Sequence, residues 1–260
     1  RYLDLYQGML PPFPFASFAL VENFWETGYG MPGFTLLGPQ VIRFPWILTS
    51  SYPHELLHNW WGNSIYVDFE HGNWCEGLTA YMADHLFAEQ RGEGATYRRA
   101  TLKKYTDMVS AGEDFPLAEF GSRQSAASEA VGYGKSLMLF HMARRAVGNE
   151  AFLAALSLFD REHRFSRASF SDIAEAFTDE TGGDWAPFIE EWVERTGAPR
   201  FEIREARVEE GAPGEAPWRV AVHLRQVQDE EPFPVTVPVA VTIEGQEEPV
   251  WAEAGACARD

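Results

Sequence analysis

Two histidines four residues apart, His54 and His58, enclose a glutamate in the sequence His-Glu-Leu-Leu-His. On a helix, side chains four residues apart project from nearly the same face, so both imidazoles can reach one metal ion. Zinc is commonly bound by such nitrogen ligands, at about 2.0–2.1 Å. Glu55 lies one step round the helix, where it can hold a water molecule rather than act as a third ligand on that face. The pattern predicts a zinc site with Glu55 as general base.

A third ligand is available at the start of the next predicted helix. Glu76 follows His58 with 17 residues between them, which is enough for a loop and a return to the metal. Thr79 shares a helical face with Glu76 and is predicted to hydrogen-bond a ligand. Glu70 and His71 are rival ligands, which we interpret as loop residues. Three protein ligands and one open position are typical of a catalytic zinc site, with one Zn²⁺ per chain.

The elements that must position these residues change in type near residue 200. Before it the pattern is mainly helical, and after it period-two alternation of β-branched residues predicts strands. Short strands are predicted over 17–23 and 34–38, and the end of a helix over 2–9. The remaining helices are predicted from about residue 51 and over 76–91, 95–111, 129–147, 149–160, 170–180 and 184–196. The fold class is therefore α+β, with a mostly helical part over 1–199 and the start of a β-sandwich over 200–260.

The composition excludes several classes of protein. The chain carries 39 acidic and 21 basic side chains, a formal charge of −18, which argues against a nucleic-acid partner because phosphate binding is driven mainly by Lys and Arg. No stretch of 18 apolar residues is present, so no transmembrane segment is expected. The chain starts at Arg1 rather than Met, and we expect it to be part of a longer protein. Neither the two cysteines nor any motif defines a compartment.

A glycine pattern over 28–33, Gly-Tyr-Gly-Met-Pro-Gly, matches the dinucleotide-binding fingerprint by its letters. That fingerprint requires a helix to begin at this point, whereas the following residues 34–37 are predicted to form a strand. We therefore interpret the glycine-rich stretch as a flexible loop near the site that binds no nucleotide.

Two segments, 54–63 (His-Glu-Leu-Leu-His-Asn-Trp-Trp-Gly-Asn) and 73–77 (Asn-Trp-Cys-Glu-Gly), resemble the aminopeptidase N family of zinc metallopeptidases. The Trp-Gly-Asn extension after the second histidine makes the match specific. These enzymes are gluzincins with a thermolysin-like catalytic domain, so the resemblance implies that fold over 1–199. The family usually has 18 residues where this chain has 17, and the Trp-x-Glu-Gly context identifies Glu76 as the equivalent ligand.

The resemblance implies two further site residues. Residues 19–23, Ala-Leu-Val-Glu-Asn, are similar to the Gly-x-Met-Glu-Asn strand whose glutamate binds the free amino group of the substrate, which points to Glu22. Tyr133 lies in Tyr-Gly-Lys-Ser, similar to the family's Tyr-Glu-Lys-Gly motif, whose tyrosine stabilises the tetrahedral oxyanion. The alternatives are that Glu22 only ends an edge strand and that Tyr133 is an ordinary aromatic at a helix start. The resemblance also implies a missing N-terminal β-domain.

The sequence thus predicts a zinc-dependent aminopeptidase that hydrolyses the N-terminal bond of peptides with a free N-terminus. His54, His58 and Glu76 hold the metal, Glu55 activates water, Tyr133 stabilises the oxyanion and Glu22 binds the amine. The alternatives are another gluzincin, of the glycyl-aminopeptidase type or an endopeptidase, and a non-catalytic scaffold with the same fold.

Overall fold

The chain forms two compact units, Arg1–Thr196 and Gly197–Asp260. The structure, a computed structural model, describes residues 1–109, 112–210, 218–246 and 248–255. Helices and strands are mixed, as expected for an α+β fold, and this prediction is confirmed. Within the described residues, no helix combines the length and apolar composition that crossing a bilayer requires.

The first unit contains ten α-helices among its described residues. They are α1 (Tyr2–Gln7), α2 (Ser51–Leu57), α3 (Cys75–Ala80), α4 (Leu86–Gln90), α5 (Gly94–Met108), α6 (Ala126–Glu129), α7 (Ser136–Val147), α8 (Asn149–His163), α9 (Phe170–Thr181) and α10 (Ala186–Glu194). The helix predicted over 95–111 ends earlier, and residues 110–111 lie outside the described part of the chain.

Two of the long helical segments contain a wider, π-helical turn. Tyr81–His85 joins α3 to α4, and Ala130–Lys135 joins α6 to α7, in each case without a break in the helical path. Short π-helical turns are rare and are frequently found at functional sites. Both segments supply a side chain to the site described below.

Local sequence explains where α9 begins and ends. A capping box is present, with the Ser169 backbone N–H and hydroxyl both donating to Asp172 Oδ2, at 2.6 and 2.7 Å. The helix ends at Gly182 in the left-handed conformation (φ 71°), which a residue without Cβ adopts readily.

A small sheet lies beside α2. Its strands are β1 (Ala19–Glu22), β2 (Gly28–Met31) and β3 (Phe34–Leu37), in the order β1-β3-β2. β1 and β3 are parallel, whereas β2 and β3 are antiparallel. β2 is therefore an edge strand, and α2 packs against it more extensively than against β3. A second pairing, between β4 (Tyr66–Val67) and β5 (Arg167–Ala168), ties the loop after α2 to the segment before α9.

The core of the first unit is built largely from aromatic side chains behind α2 and α3. Trp60, Trp61, Trp74 and Phe159 are fully buried, and Trp74 Nε1 donates to the Ala168 carbonyl at 2.7 Å. Trp60 and Trp61 are therefore packing residues.

The second unit is described as two antiparallel hairpin sheets, β6 (Phe201–Glu210) with β7 (Trp218–Gln226), and β8 (Thr236–Val241) with β9 (Val250–Gly255). In β8 the odd-numbered positions are less exposed than the even ones, which is the alternation predicted for this strand.

Candidate metal centre

Helix α2 places its two histidines at its C-terminal end. Pro53 lies in the first turn, where its missing N–H has no intrahelical acceptor to lose. His58 is the C-cap residue and keeps helical dihedral angles (φ −56°, ψ −13°), so the four-residue relation to His54 persists. The two imidazole rings lie with centroids 4.9 Å apart and nearly perpendicular.

Glu76, in the first turn of α3, joins the two histidines. Its Oε2 lies 3.5 Å from His54 Nε2 and 3.5 Å from His58 Nε2. One ligand atom from each residue lies within 4.8 Å of the others, and among the described residues this is the only group of three or more such side chains. The arrangement fits one divalent ion with two nitrogen ligands and one oxygen ligand.

The rival ligands Glu70 and His71 are not part of this group. They form a short 3₁₀ turn, Phe69–His71, in which His71 is exposed and its Nδ1 lies 2.9 Å from Asp68 Oδ2. Both residues therefore belong to the connection between the ligands, as the sequence indicates.

The connection from His58 to Glu76 is held at its end by Asn73. Its backbone N–H donates to the Phe120 carbonyl at 2.7 Å, and its side-chain oxygen accepts from the N–H of Cys75, the first residue of α3, at 3.1 Å. Cys75 is buried, with Sγ 3.3 Å from His58 Nδ1. The residue before the third ligand thus contacts the second ligand.

The other nitrogen of each imidazole has its own partner. His54 Nδ1 lies 2.7 Å from Asp84 Oδ2, and His58 Nδ1 lies 3.0 Å from the Trp61 carbonyl. A hydrogen bond at Nδ1 fixes the tautomer and leaves Nε2 available to a metal. The prediction for Thr79 is wrong, because its buried Oγ1 has no hydrogen-bond partner in the described part of the chain. Sequence reasoning missed Asp84, which lies in the first π-helical turn.

Electrostatics support a metal site at these residues. Burial raises the pKa of Glu76, but hydrogen bonds from His54 and His58 outweigh burial and hold the pKa well below its usual range. Burial lowers the pKa of His54, but the charge and hydrogen bond of Asp84 reverse that effect and raise the pKa to about 9. Negative charge is thus concentrated where a cation would bind.

Strand β2 lies directly against the base and the second ligand. A Cβ at Gly28 would lie 2.6 Å from Glu55 Oε1, and one at Gly30 would lie 2.5 Å from His58 Cβ. The interpretation of this stretch as a flexible loop is therefore wrong, since its glycines allow a strand to pack on α2. Burial raises the pKa of Glu55, and the charges of His58 and His54 oppose that shift.

Tyr133 reaches the same group from the second π-helical turn. Its ring lies nearly parallel to that of His54, with centroids 6.4 Å apart. Burial, followed by the charge of Glu76, raises the pKa of Tyr133, so the phenol keeps its proton near neutral pH. The ring of Phe120 occupies the space beside Gly132, where any Cβ would overlap it.

The structure does not bring Glu22 to these residues. It ends β1, which β3 separates from β2 and the metal-binding helix. Its carboxylate is half exposed and pairs with Arg43 Nη1 at 2.7 Å. Adjacent strands lie about 4.8 Å apart, so β1 lies two strand spacings, about 10 Å, from β2. The motif similarity could not reveal this order of strands.

The site opens into a cavity of about 1310 Å³. Besides the residues above, its walls include carboxylates and cations from α5, α6, β5 and nearby loops. These are Asp68, Glu70, Lys104, Arg123, Glu129 and Arg167. The edge of β2 not paired with β3 belongs to this wall, through residues 27–30.

The sequence profile of the Peptidase family M1 domain matches residues 49–192, more than half of the chain. The chain belongs to peptidase family M1. The matched region spans the whole group of site residues from α2 to the second π-helical turn, and membership implies a zinc ion. The resemblance seen in the sequence is confirmed.

Several curated relatives of low sequence identity are named aminopeptidases. The alanine/arginine aminopeptidase of Saccharomyces cerevisiae is 23% identical over 159 residues, covering 58% of this chain and 19% of the relative. Aminopeptidase N of Lactococcus lactis is 25% identical over 156 residues, covering 56% and 18%. The chain therefore matches only about a fifth of the length of these relatives.

A solved structure shares the fold. An M1 zinc metallopeptidase from Deinococcus radiodurans superposes with a TM-score of 0.60 at 22% identity, covering 77% of this chain and 44% of that chain. A mutant of that protein, bound to a Tyr-Ser-Ala substrate, superposes with a TM-score of 0.61.

Proposed function

We propose that this chain carries the active site of a zinc-dependent aminopeptidase, with one Zn²⁺ per chain held by His54, His58 and Glu76. The observation that carries the proposal is the convergence of their three ligand atoms within 4.8 Å, beside Glu55 and on the wall of a large cavity. On this view residues 1–199 are the thermolysin-like catalytic domain, and residues 200–260 begin a β-sandwich-like segment. A further N-terminal β-domain stays a prediction of the family resemblance.

The metal would supply Lewis acidity, lowering the pKa of a water molecule and polarising the scissile carbonyl. Glu55 would take a proton from the attacking water and deliver it to the leaving amine. Its burial, which raises its pKa, favours this role because a carboxylate with a raised pKa is a stronger base.

Tyr133 would stabilise the negative charge that develops on the carbonyl oxygen. Its proton is retained near neutral pH because burial raises its pKa, so its hydroxyl can donate a hydrogen bond. The position of its ring beside His54, with centroids 6.4 Å apart, supports this role. A peptide bound as an extended segment along the free edge of β2 would bring its carbonyl toward these groups.

The test is Glu55→Gln, which keeps the shape of the side chain but removes the base. We expect hydrolysis of an aminoacyl chromogenic substrate to be lost while zinc content, measured by metal analysis, stays at one per chain. Glu175→Gln, the same substitution at an exposed position of α9, is the matched control. Full activity of Glu55→Gln would contradict the mechanism.

A second candidate function is endopeptidase activity, favoured by one observation. Glu22, the residue that would bind the substrate amine, pairs with Arg43 and lies outside the cavity. The two functions are separated by comparing a peptide that has a free amine with its N-acetylated form. An aminopeptidase cleaves the first and not the second, whereas equal rates would indicate an endopeptidase.

A further inference from the structure

Two cations lie together on one wall of the cavity. Tyr97, Thr101 and Lys104 recur along α5 at the spacing of one helical face, and all three line the cavity. Lys104 Nζ lies 2.6 Å from Glu129 Oε1, and Arg123 Nη1 lies 3.8 Å from Glu129 Oε2. One carboxylate is therefore shared between two cations, which leaves one positive charge in excess.

Both cations are open to an incoming ligand. The side chain of Lys104 is 38% exposed and that of Arg123 is 58% exposed, whereas Glu129 is the least exposed of the three at 31%. The chain has a net charge of −18, so a random surface site would be expected to carry negative rather than positive charge. Exposed pairs of this kind add little to stability, so fold stability alone does not account for them.

The pair also lies close to the reacting groups. Glu129 ends α6, four residues before Tyr133 on the same continuous helical path. Lys104, Arg123, Glu129 and Tyr133 all line the same cavity. A group held by Arg123 and Lys104 would thus belong to the same bound substrate whose carbonyl meets Tyr133.

We propose that Lys104 and Arg123 bind a carboxylate of the peptide substrate, so that the site prefers acidic or short peptides. The inference rests on the proposed function. A guanidinium and an ammonium together offer the N–H donors that a carboxylate accepts, and Arg can donate to both of its oxygens. The carboxylate has two sources, the C-terminus of a short peptide or the side chain of an Asp or Glu residue.

The experiment compares charged and neutral substrates with the full zinc-loaded chain. The double variant Lys104→Gln/Arg123→Gln is assayed on a tripeptide acid and its C-terminal amide, and on Glu and Gln p-nitroanilides. The control is Lys103→Gln, on the exposed side of α5, where Lys103 pairs with Asp107. We expect KM to rise about tenfold or more for the carboxylate-bearing member of one pair and to stay unchanged for its neutral partner.

The pair that responds identifies the source of the carboxylate. Two results would overturn the inference. Equal changes in KM for charged and neutral substrates would give the cations a general structural role. A fall in kcat alone on both substrates would mean that the cations act through Tyr133. If wild type cleaves none of the substrates, the proposed function fails. Calorimetry then still decides whether the carboxylate site exists. If it does, the double variant binds the tripeptide acid more weakly than wild type does, and the two proteins bind the amide equally.

Discussion

Removing the carboxylate of Asp84 should weaken zinc binding without touching a metal ligand. Asp84 Oδ2 lies 2.7 Å from His54 Nδ1 and is the partner that fixes the orientation of that ring. Its charge and hydrogen bond outweigh burial and raise the pKa of His54 to about 9. The same charge makes Nε2 of His54 a stronger electron donor to a cation, so loss of the Asp84 carboxylate should lower the affinity of the protein for zinc.

The magnitude follows from what each substitution leaves behind. Asp84→Asn keeps an oxygen that can accept from Nδ1 but removes the charge, whereas Asp84→Ala removes both. Loss of such an outer partner typically costs 10- to 100-fold in metal affinity, or about 1.4 to 2.7 kcal/mol. We expect the Asn variant near the lower limit and the Ala variant near the upper limit.

The assay is a competition titration of the metal-free protein against a chromophoric zinc chelator. Asp107→Asn, which alters an exposed carboxylate that pairs with Lys103 on α5, is the control and should leave the Kd unchanged. Circular dichroism of each metal-free variant verifies that the fold is kept. An Asp84→Ala protein that binds zinc as tightly as wild type would refute the reasoning.

Two further substitutions test the packing and the charge state of groups near the site. Gly30→Ala would place a Cβ 2.5 Å from His58 Cβ, so we expect the free energy of unfolding in urea to fall by about 1–3 kcal/mol and zinc binding to weaken. The control, Gly121→Ala, places a Cβ that meets no atom within 4 Å, so it should change neither quantity. If both alanine variants unfold alike, β2 does not press on the ligand helix as described. Burial lowers the pKa of His85 from 6.5 to about 4, and its Nε2 accepts from Arg98 at 2.8 Å, so the unfolded state takes up a proton first as the pH falls. The contribution of His85 to the free energy of unfolding is complete above pH 6.5 and should fall by about 2 kcal/mol by pH 5. Urea titrations of wild type at these two pH values should show this fall, and His85→Gln should abolish it. If the free energy of unfolding of His85→Gln falls as much as that of wild type, the assignment is wrong.

Much of the helical framework could be predicted because its signals are local. The helices predicted over 149–160, 170–180 and 184–196 correspond to α8, α9 and α10, with bounds that differ by at most three residues. The group of His54, His58 and Glu76 could also be predicted, since a fixed spacing on one helix and a nearby acidic helix start need little knowledge of tertiary structure.

The features that sequence reasoning missed depend on tertiary structure or on helical geometry that has no simple period. Asp84 is eight residues after Glu76, so in a regular helix the two would lie about 80° apart around the axis. The π-helical turn over 81–85 changes that angle. Glu22 was assigned by motif similarity, but the order β1-β3-β2 puts its strand on the far side of the sheet. The edge strand that does face α2 carries glycines, which a local pattern cannot distinguish from a loop.

Glycines, which have no side chain, allow the separate elements of the site to approach one another closely. Gly28 and Gly30 let β2 rest on α2, and Gly77 lets α3 approach α7 so closely that any Cβ would overlap Ser136. Gly132 does the same for the second π-helical turn against a phenyl ring. The base, Glu55, lies against Gly28. The third ligand, Glu76, precedes Gly77, and Tyr133 follows Gly132. Their separations therefore depend on close contacts between glycine backbone and packed side chains of neighbouring elements, and a methyl group added at any of these glycines should displace the side chain that it meets.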